Sequence, residues 1–188
     1  MGLDMYLTRK HYIGGQYEWN KVEGEINLTI KGKKLPIDIK KLEYIEEEIG
    51  YWRKANAIHK WFVENVQNGE DDCKPYYVEA EQLQELLNLC KEVRKKSKIV
   101  NGKISTGETL KDGKWEKIYE DGKIIENAEE ISKILPTQSG FFFGCTDYDE
   151  WYMKDIDYTI EMLEKVLEEH KELEKLGFCP EYEYRASW

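Results

Sequence analysis

Residues 135–152, LPTQSGFFFGCTDYDEWY, set three phenylalanines between two glycines and follow them with aromatic and acidic residues. Read as a strand, Phe141 and Phe143 share one face and Phe142 takes the other, because successive side chains alternate. Both faces must then be covered, which predicts a central strand between layers. Gly140 and Gly144 either relieve crowding, permit positive φ, or let a ligand approach the backbone closely. The sequel reads as the start of a long helix. Thr146 or Asp147 offers an N-cap, and Asp149 with Glu150 suits the positive end of the helix dipole. The stretch is therefore either a buried strand feeding a capped helix or one wall of a ligand pocket.

Working outward, the helix runs on to Gly177, with an apolar face of Trp151, Ile156, Met162, Leu163, Val166 and Leu173. CPEYEYRAS then alternates and predicts an edge strand. Upstream, GLDMYLT alternates as a strand, and EINLTIKGKKLPID turns at Lys31-Gly32-Lys33 as a hairpin. KKLEYIEEEIG reads as a strand that breaks at Gly50. YWRKANAIHKWFVENVQNG predicts the first helix, with Trp52, Ala55, Phe62, Val63 and Val66 in one stripe and Asn68-Gly69 at its end. AEQLQELLNLCKEVRKKS predicts a second helix, basic in its last turns as the dipole favours. Residues 98–126 carry an Asn-Gly turn and two Asp-Gly-Lys triplets, the signals of a polar β-hairpin or meander inserted between helices and projecting from the body. NAEEISKIL reads as a short helix stopped by Pro136. Without a βαβ rhythm, the expected class is α+β: a single domain over 1–188, an antiparallel sheet packed with about three main helices, plus the insertion at 98–126.

The 188 residues carry a net charge of −10, which argues against general nucleic-acid binding, since phosphate neutralisation supplies most such affinity. The balance is uneven: residues 1–41 hold eight Lys/Arg against five Asp/Glu. That basic end either meets an anion or protects a hairpin edge with lysines. No apolar run is long enough to span a membrane, and the first residues lack a secretory pattern, so a cytoplasmic protein is expected. The four cysteines lack metal-ligand spacing, and Asp71-Asp72 beside Cys73 reads as a turn rather than a cation loop. No familiar phosphate-cradling, dinucleotide or catalytic motif is present, and no cofactor is expected.

Polar groups on apolar helix faces are the candidate site residues. Asn56 falls at the edge of the first helix's stripe and His59 lies inside it. Burying either unpaired costs about 1–3 kcal/mol, so each needs a partner: core backbone, a carboxylate or a ligand. Arg53 lies near that helix start, placed either as a surface charge or to hold an anion. Asp155 falls inside the apolar stripe of the last helix and Asp149 near its margin. Their partner is either an internal cation, Arg185 or Arg53, or a ligand. Carboxylates at this helix start already occupy the favourable field, so the site suits a neutral or donor-rich group such as a base edge, a ribose or an amine. Trp52, Tyr148 or Trp151 would stack on a flat ring, and Ser139, Gly140, Phe141 and Phe143 would form the neighbouring wall.

MGLDMYL, GYWRKANAIHKWFV, DDC, LPTQSGFFFG and YDEWY together carry a resemblance. The chain resembles a family of small proteins of unassigned activity encoded by bacteriophages and prophages, over nearly its whole length except 98–126. The resemblance implies an accessory protein acting in the host bacterial cytoplasm and transfers no catalytic residue. Three functions follow as expectations. The first is a non-enzymatic protein that binds a small nucleotide-like molecule and sequesters a host defence signal. The second is a hydrolase on such a substrate, with His59 as general acid or base and Asp149 or Asp155 as its partner. The third is an inhibitor that binds a host protein. The wide apolar face of the last helix also permits a homo-oligomer.

Overall fold

In the computed structural model, residues 2–14, 24–111 and 113–188 are described. The class is α+β. Four strands, β1 (Asp4–Tyr12), β4 (Tyr44–Arg53), β5 (Tyr76–Val78) and β8 (Glu181–Ser187), form one antiparallel sheet in the order β4-β1-β8-β5. Alternation along β1 puts Met5, Leu7 and Arg9 on the inner face, with Tyr6, Thr8 and Lys10 outside. Trp52, Val78, Tyr182, Tyr184 and Ala186 complete the inner face and join the core beneath the helices. Arg9 is buried there because two carboxylates meet it, Glu47 at 2.9 Å and Glu169 at 2.8 Å.

Three helices cover that face: α1 (Asn56–Asn65), α2 (Ala80–Lys96) and α4 (Glu150–Lys175). In α2, Leu83, Leu86, Leu87, Cys90 and Val93 form the buried stripe, and a capping box between Glu79 and Gln82 fixes the start. In α4 the buried set includes Ile156, Met162, Leu163 and Val166, as expected, whereas Trp151 is about half exposed, which corrects its place on the core face. A short helix, α3 (Ala128–Ile131), precedes Pro136.

Four further expectations are corrected. β4 does not break at Gly50. It runs to Arg53 because β1 pairs with it throughout, Leu7 facing Gly50 and Met5 facing Trp52. The first helix accordingly starts at Asn56, and Trp52 and Arg53 belong to the strand. β8 is no edge strand: it lies between β1 and β5. The segment Gly140–Gly144 is not a strand but a turn-rich loop.

The β2–β3 hairpin (Thr29–Ile30, Lys33–Lys34) turns through Lys31 and Gly32, both at positive φ, as two-residue hairpins require. Residues 98–126 form one long hairpin, the simpler of the two expected forms, β6 (Ile99–Lys111) with β7 (Lys114–Ile125). Of its turn signals only the one around Gly113 turns; Asp112 lies outside the described residues. Gly102 and Gly122 instead face each other within the ladder. A Cβ on either would meet an isoleucine side chain, Ile124 at 2.6 Å or Ile104 at 2.7 Å, so glycine lets the neighbouring strand's side chain lie across it. The hairpin is tied to the start of α4 by the Ile125 amide, which donates to the Tyr148 carbonyl.

Candidate functional site

The turn from β4 into α1 lies against the first turns of α4, with the 137–147 loop closing one side. Between them is a cleft of about 290 Å³. Each wall follows from local chain chemistry. β4 ends at Arg53, and Lys54 adopts φ +62°, an uncommon left-handed conformation for a residue other than glycine. That kink turns the chain directly into α1. Ala55 stands at the N-cap, and its side chain has no oxygen to cap with. The amides of Ala57 and Ile58 therefore have no acceptor in their own helix and no side-chain cap, and both residues line the cleft.

The facing wall is the start of α4. Asp149, not Thr146 or Asp147, is the N-cap: one carboxylate oxygen accepts from the amides of Trp151 at 2.8 Å and Tyr152 at 3.2 Å. The other oxygen is buried and has no hydrogen-bond partner. Burial pushes the Asp149 carboxyl above the ordinary aspartate range, although its two helix amides pull the other way. Six residues on, Asp155 borders the same cleft, and burial together with the Asp149 charge raises it to about 7. Among the described residues neither carboxylate has an ion pair. Of the cations expected for them, Arg53 borders the cleft but lies 3.9 Å from Asp4, and Arg185 sits over the Tyr6 ring. Lys54 and Lys154 stand at the rim, the latter 3.7 Å above the Trp151 ring. The cleft thus sets uncapped backbone donors against acidic acceptors, and one carboxyl within it exchanges a proton near neutral pH.

Asn56 borders this cleft but is already satisfied. Its amide nitrogen donates to the Phe143 carbonyl at 3.0 Å and the Cys145 carbonyl at 2.8 Å, and its oxygen accepts from the Gln138 amide at 3.2 Å. These bonds help hold the run as a loop: the Phe143 carbonyl goes to a helix side chain, while the Phe142 carbonyl accepts from the Leu3 amide just before β1. Phe143 alone turns inward, edge-on to His59 at 5.0 Å, while Phe141 is 94% exposed and Phe142 half-buried.

His59 lies away from the cleft and is completely buried. Its Nδ1 meets the Tyr184 hydroxyl at 2.8 Å and its Nε2 meets Asp71 at 2.9 Å, while Trp188 donates to the other Asp71 oxygen. The scaffold therefore completes the bonding of both Asn56 and His59, contrary to the expectation that a ligand does so. Trp52 is a core residue whose indole donates to Thr159. Tyr148 packs on Tyr152, and its hydroxyl accepts from the Thr137 amide. Of the expected residues, Arg53, Asn56, Asp149, Trp151 and Asp155 meet at the cleft. Ser139, Gly140 and Phe141 line a wider, adjoining cleft of about 840 Å³, which shares Lys54, Gly144 and Cys145 with the first. Trp52, His59, Phe143 and Tyr148 line neither. Sequence reasoning missed Lys54, Lys154 and the Ala57 and Ile58 amides. The signal was alanine where a capping residue usually stands, hidden by placing the helix start too early.

No family model, curated protein or solved structure matches the chain. Among the described residues, no helix is long and apolar enough to cross a membrane.

Proposed function

We propose that the chain is a phage-encoded accessory protein that holds a small nucleotide-like molecule in this cleft and sequesters it from a host defence system in the bacterial cytoplasm. One observation carries the reading: the unpartnered, buried oxygen of Asp149 at a cleft whose opposite wall is an uncapped helix start. A buried carboxylate oxygen without a donor costs stability, and a fold retains that cost where a ligand supplies the missing bond. A base-sized cleft with donors on one side and acceptors on the other suits the polar edge of a heterocycle, and Trp151 at the rim offers a face for stacking. The hydrolase reading loses its base, because His59 does not reach the cleft.

Thermal denaturation in the presence of separate nucleoside mono-, di- and triphosphates tests this, together with mass spectrometry of any small molecule released on unfolding. A rise of several degrees with at least one nucleotide, absent in an Asp149→Asn variant, is expected. Indifference to every nucleotide, with nothing released, would refute it.

The β6–β7 hairpin favours a second reading, a protein-binding inhibitor. Leu110 and Trp115 face each other near its tip and are 59% and 69% exposed, with Ile118 and Tyr119 also open to solvent. Replacing residues 106–118 with a short turn should abolish capture of a host protein while leaving nucleotide binding intact. Capture undiminished by that change would exclude the hairpin as the contact.

A further inference from the structure

Resting on the reading of the cleft as a nucleotide site, we propose that it selects a base whose edge presents two adjacent N–H donors beside a carbonyl acceptor, the pattern of guanine. The two walls impose that order. On the α4 side, Asp149 has one oxygen committed to the amides of Trp151 and Tyr152 and one oxygen free. Asp155 adds a second carboxyl with no ion pair among the described residues, so this wall offers two acceptors. On the α1 side, the uncapped amides of Ala57 and of the fully buried Ile58 place the positive end of a ten-residue helix at the cleft.

Guanine meets both walls at once: its ring N–H and exocyclic amino group face the aspartates, and its carbonyl faces the helix amides. Adenine places a ring-nitrogen lone pair where an N–H is needed, setting acceptor against acceptor. Hypoxanthine keeps the ring N–H and carbonyl but lacks the amino group, so one buried carboxylate stays unpaired. A site built to receive an N–H discriminates strongly against an analogue without it, because its own polar group is left stranded. Bonds to an ionised acceptor are also the stronger kind. The sugar and phosphate then leave over the ridge of Lys54 and Gly144 into the wider cleft, where Lys54, Lys117 and Ser139 stand. Gly144 is at φ +84°, and a Cβ there would come 3.2 Å from Cβ of Lys54, so glycine keeps the ridge low.

Calorimetric titration of the full chain with guanosine, inosine, adenosine and uridine monophosphates tests the assignment. Guanosine monophosphate is expected to bind at least tenfold more tightly than the other three. Asp149→Asn retains an oxygen for the helix amides and places an amino group where the free acceptor stood; it should weaken that binding at least tenfold without lowering the melting temperature by more than a few degrees. Asp155→Asn, which leaves the cap untouched, should weaken it too and serves if the first variant fails to fold. Adenosine or uridine monophosphate binding as tightly as guanosine monophosphate, and lost in Asp149→Asn, would overturn the base assignment while sparing the nucleotide reading. Guanosine monophosphate binding unchanged in both variants would place the ligand elsewhere. Binding of none of the four would overturn the base assignment, and the wider nucleotide screen then decides the reading beneath it.

Discussion

Asn56 and His59, both buried, and the half-buried Asp155 serve different ends. Asn56 holds the 138–145 loop through three bonds, so Asn56→Ala strands buried backbone groups and should lower unfolding stability by about 2–4 kcal/mol, at roughly 1–3 kcal/mol for each stranded group. Urea denaturation reads this directly, and a loss under about 0.5 kcal/mol would deny the loop its anchor. His59→Ala should likewise destabilise the fold, through Tyr184 and Asp71, yet leave ligand affinity within about twofold in protein that remains folded, judged against the tenfold step of 1.4 kcal/mol. Lost binding in a folded His59→Ala protein would return that residue to the site. Asp155 carries the pH dependence. Its folded value, about 7, lies above the ordinary aspartate value near 3.9 that the unfolded chain shows. The stabilising contribution of its protonated form is complete below about pH 4 and is lost as pH rises to about 7. Wild-type stability, measured against Asp155→Asn across that window, should therefore fall with rising pH. A flat difference between the two proteins would remove the raised carboxyl.

At the scale of elements, legibility tracked how local the deciding force was. The helix over Ala80–Lys96 and the long helix ending before Gly177 were readable because a continuous 3.6-residue stripe and their end signals lie within each segment. The α1 start was not, because Trp52 fits a helical stripe and a strand's inner face equally well; pairing with β1, distant in sequence, decides for the strand. The phenylalanine run failed for a related reason. Its alternation is that of a strand, but Asn56, more than eighty residues away, takes the carbonyls of Phe143 and Cys145, and only Phe142 bonds to backbone beside β1. The candidate site was half legible: the carboxylates stood out as charges on an apolar face, whereas backbone amides leave no mark in side-chain composition. Gly144 tests the loop geometry. Gly144→Ala places a side chain at positive φ beside Lys54 and should cost about 1–2 kcal/mol. A substitution without effect on unfolding would mean the ridge can rearrange.

Across the whole molecule, the two central strands of the main sheet, β1 and β8, come from opposite ends of the described chain. The sheet therefore closes only when β8 is in place, and β8 also supplies Tyr184 to His59 and Tyr182 to His170. Removing residues 181–188 takes out a central strand and should leave a chain without a cooperative thermal transition by circular dichroism. Retained cooperative melting would contradict the topology. On this frame the cleft is built from a strand-to-helix kink on one side and a capped helix on the other, each held by core packing, so that the uncapped helix start and the two aspartates border a common space. The most direct test follows the amide resonances of Ala57 and Ile58 by NMR during titration with guanosine monophosphate. Those two amides should shift downfield and saturably while amides around His59 stay unmoved; shifts that spare Ala57 and Ile58 but appear elsewhere would contradict the account.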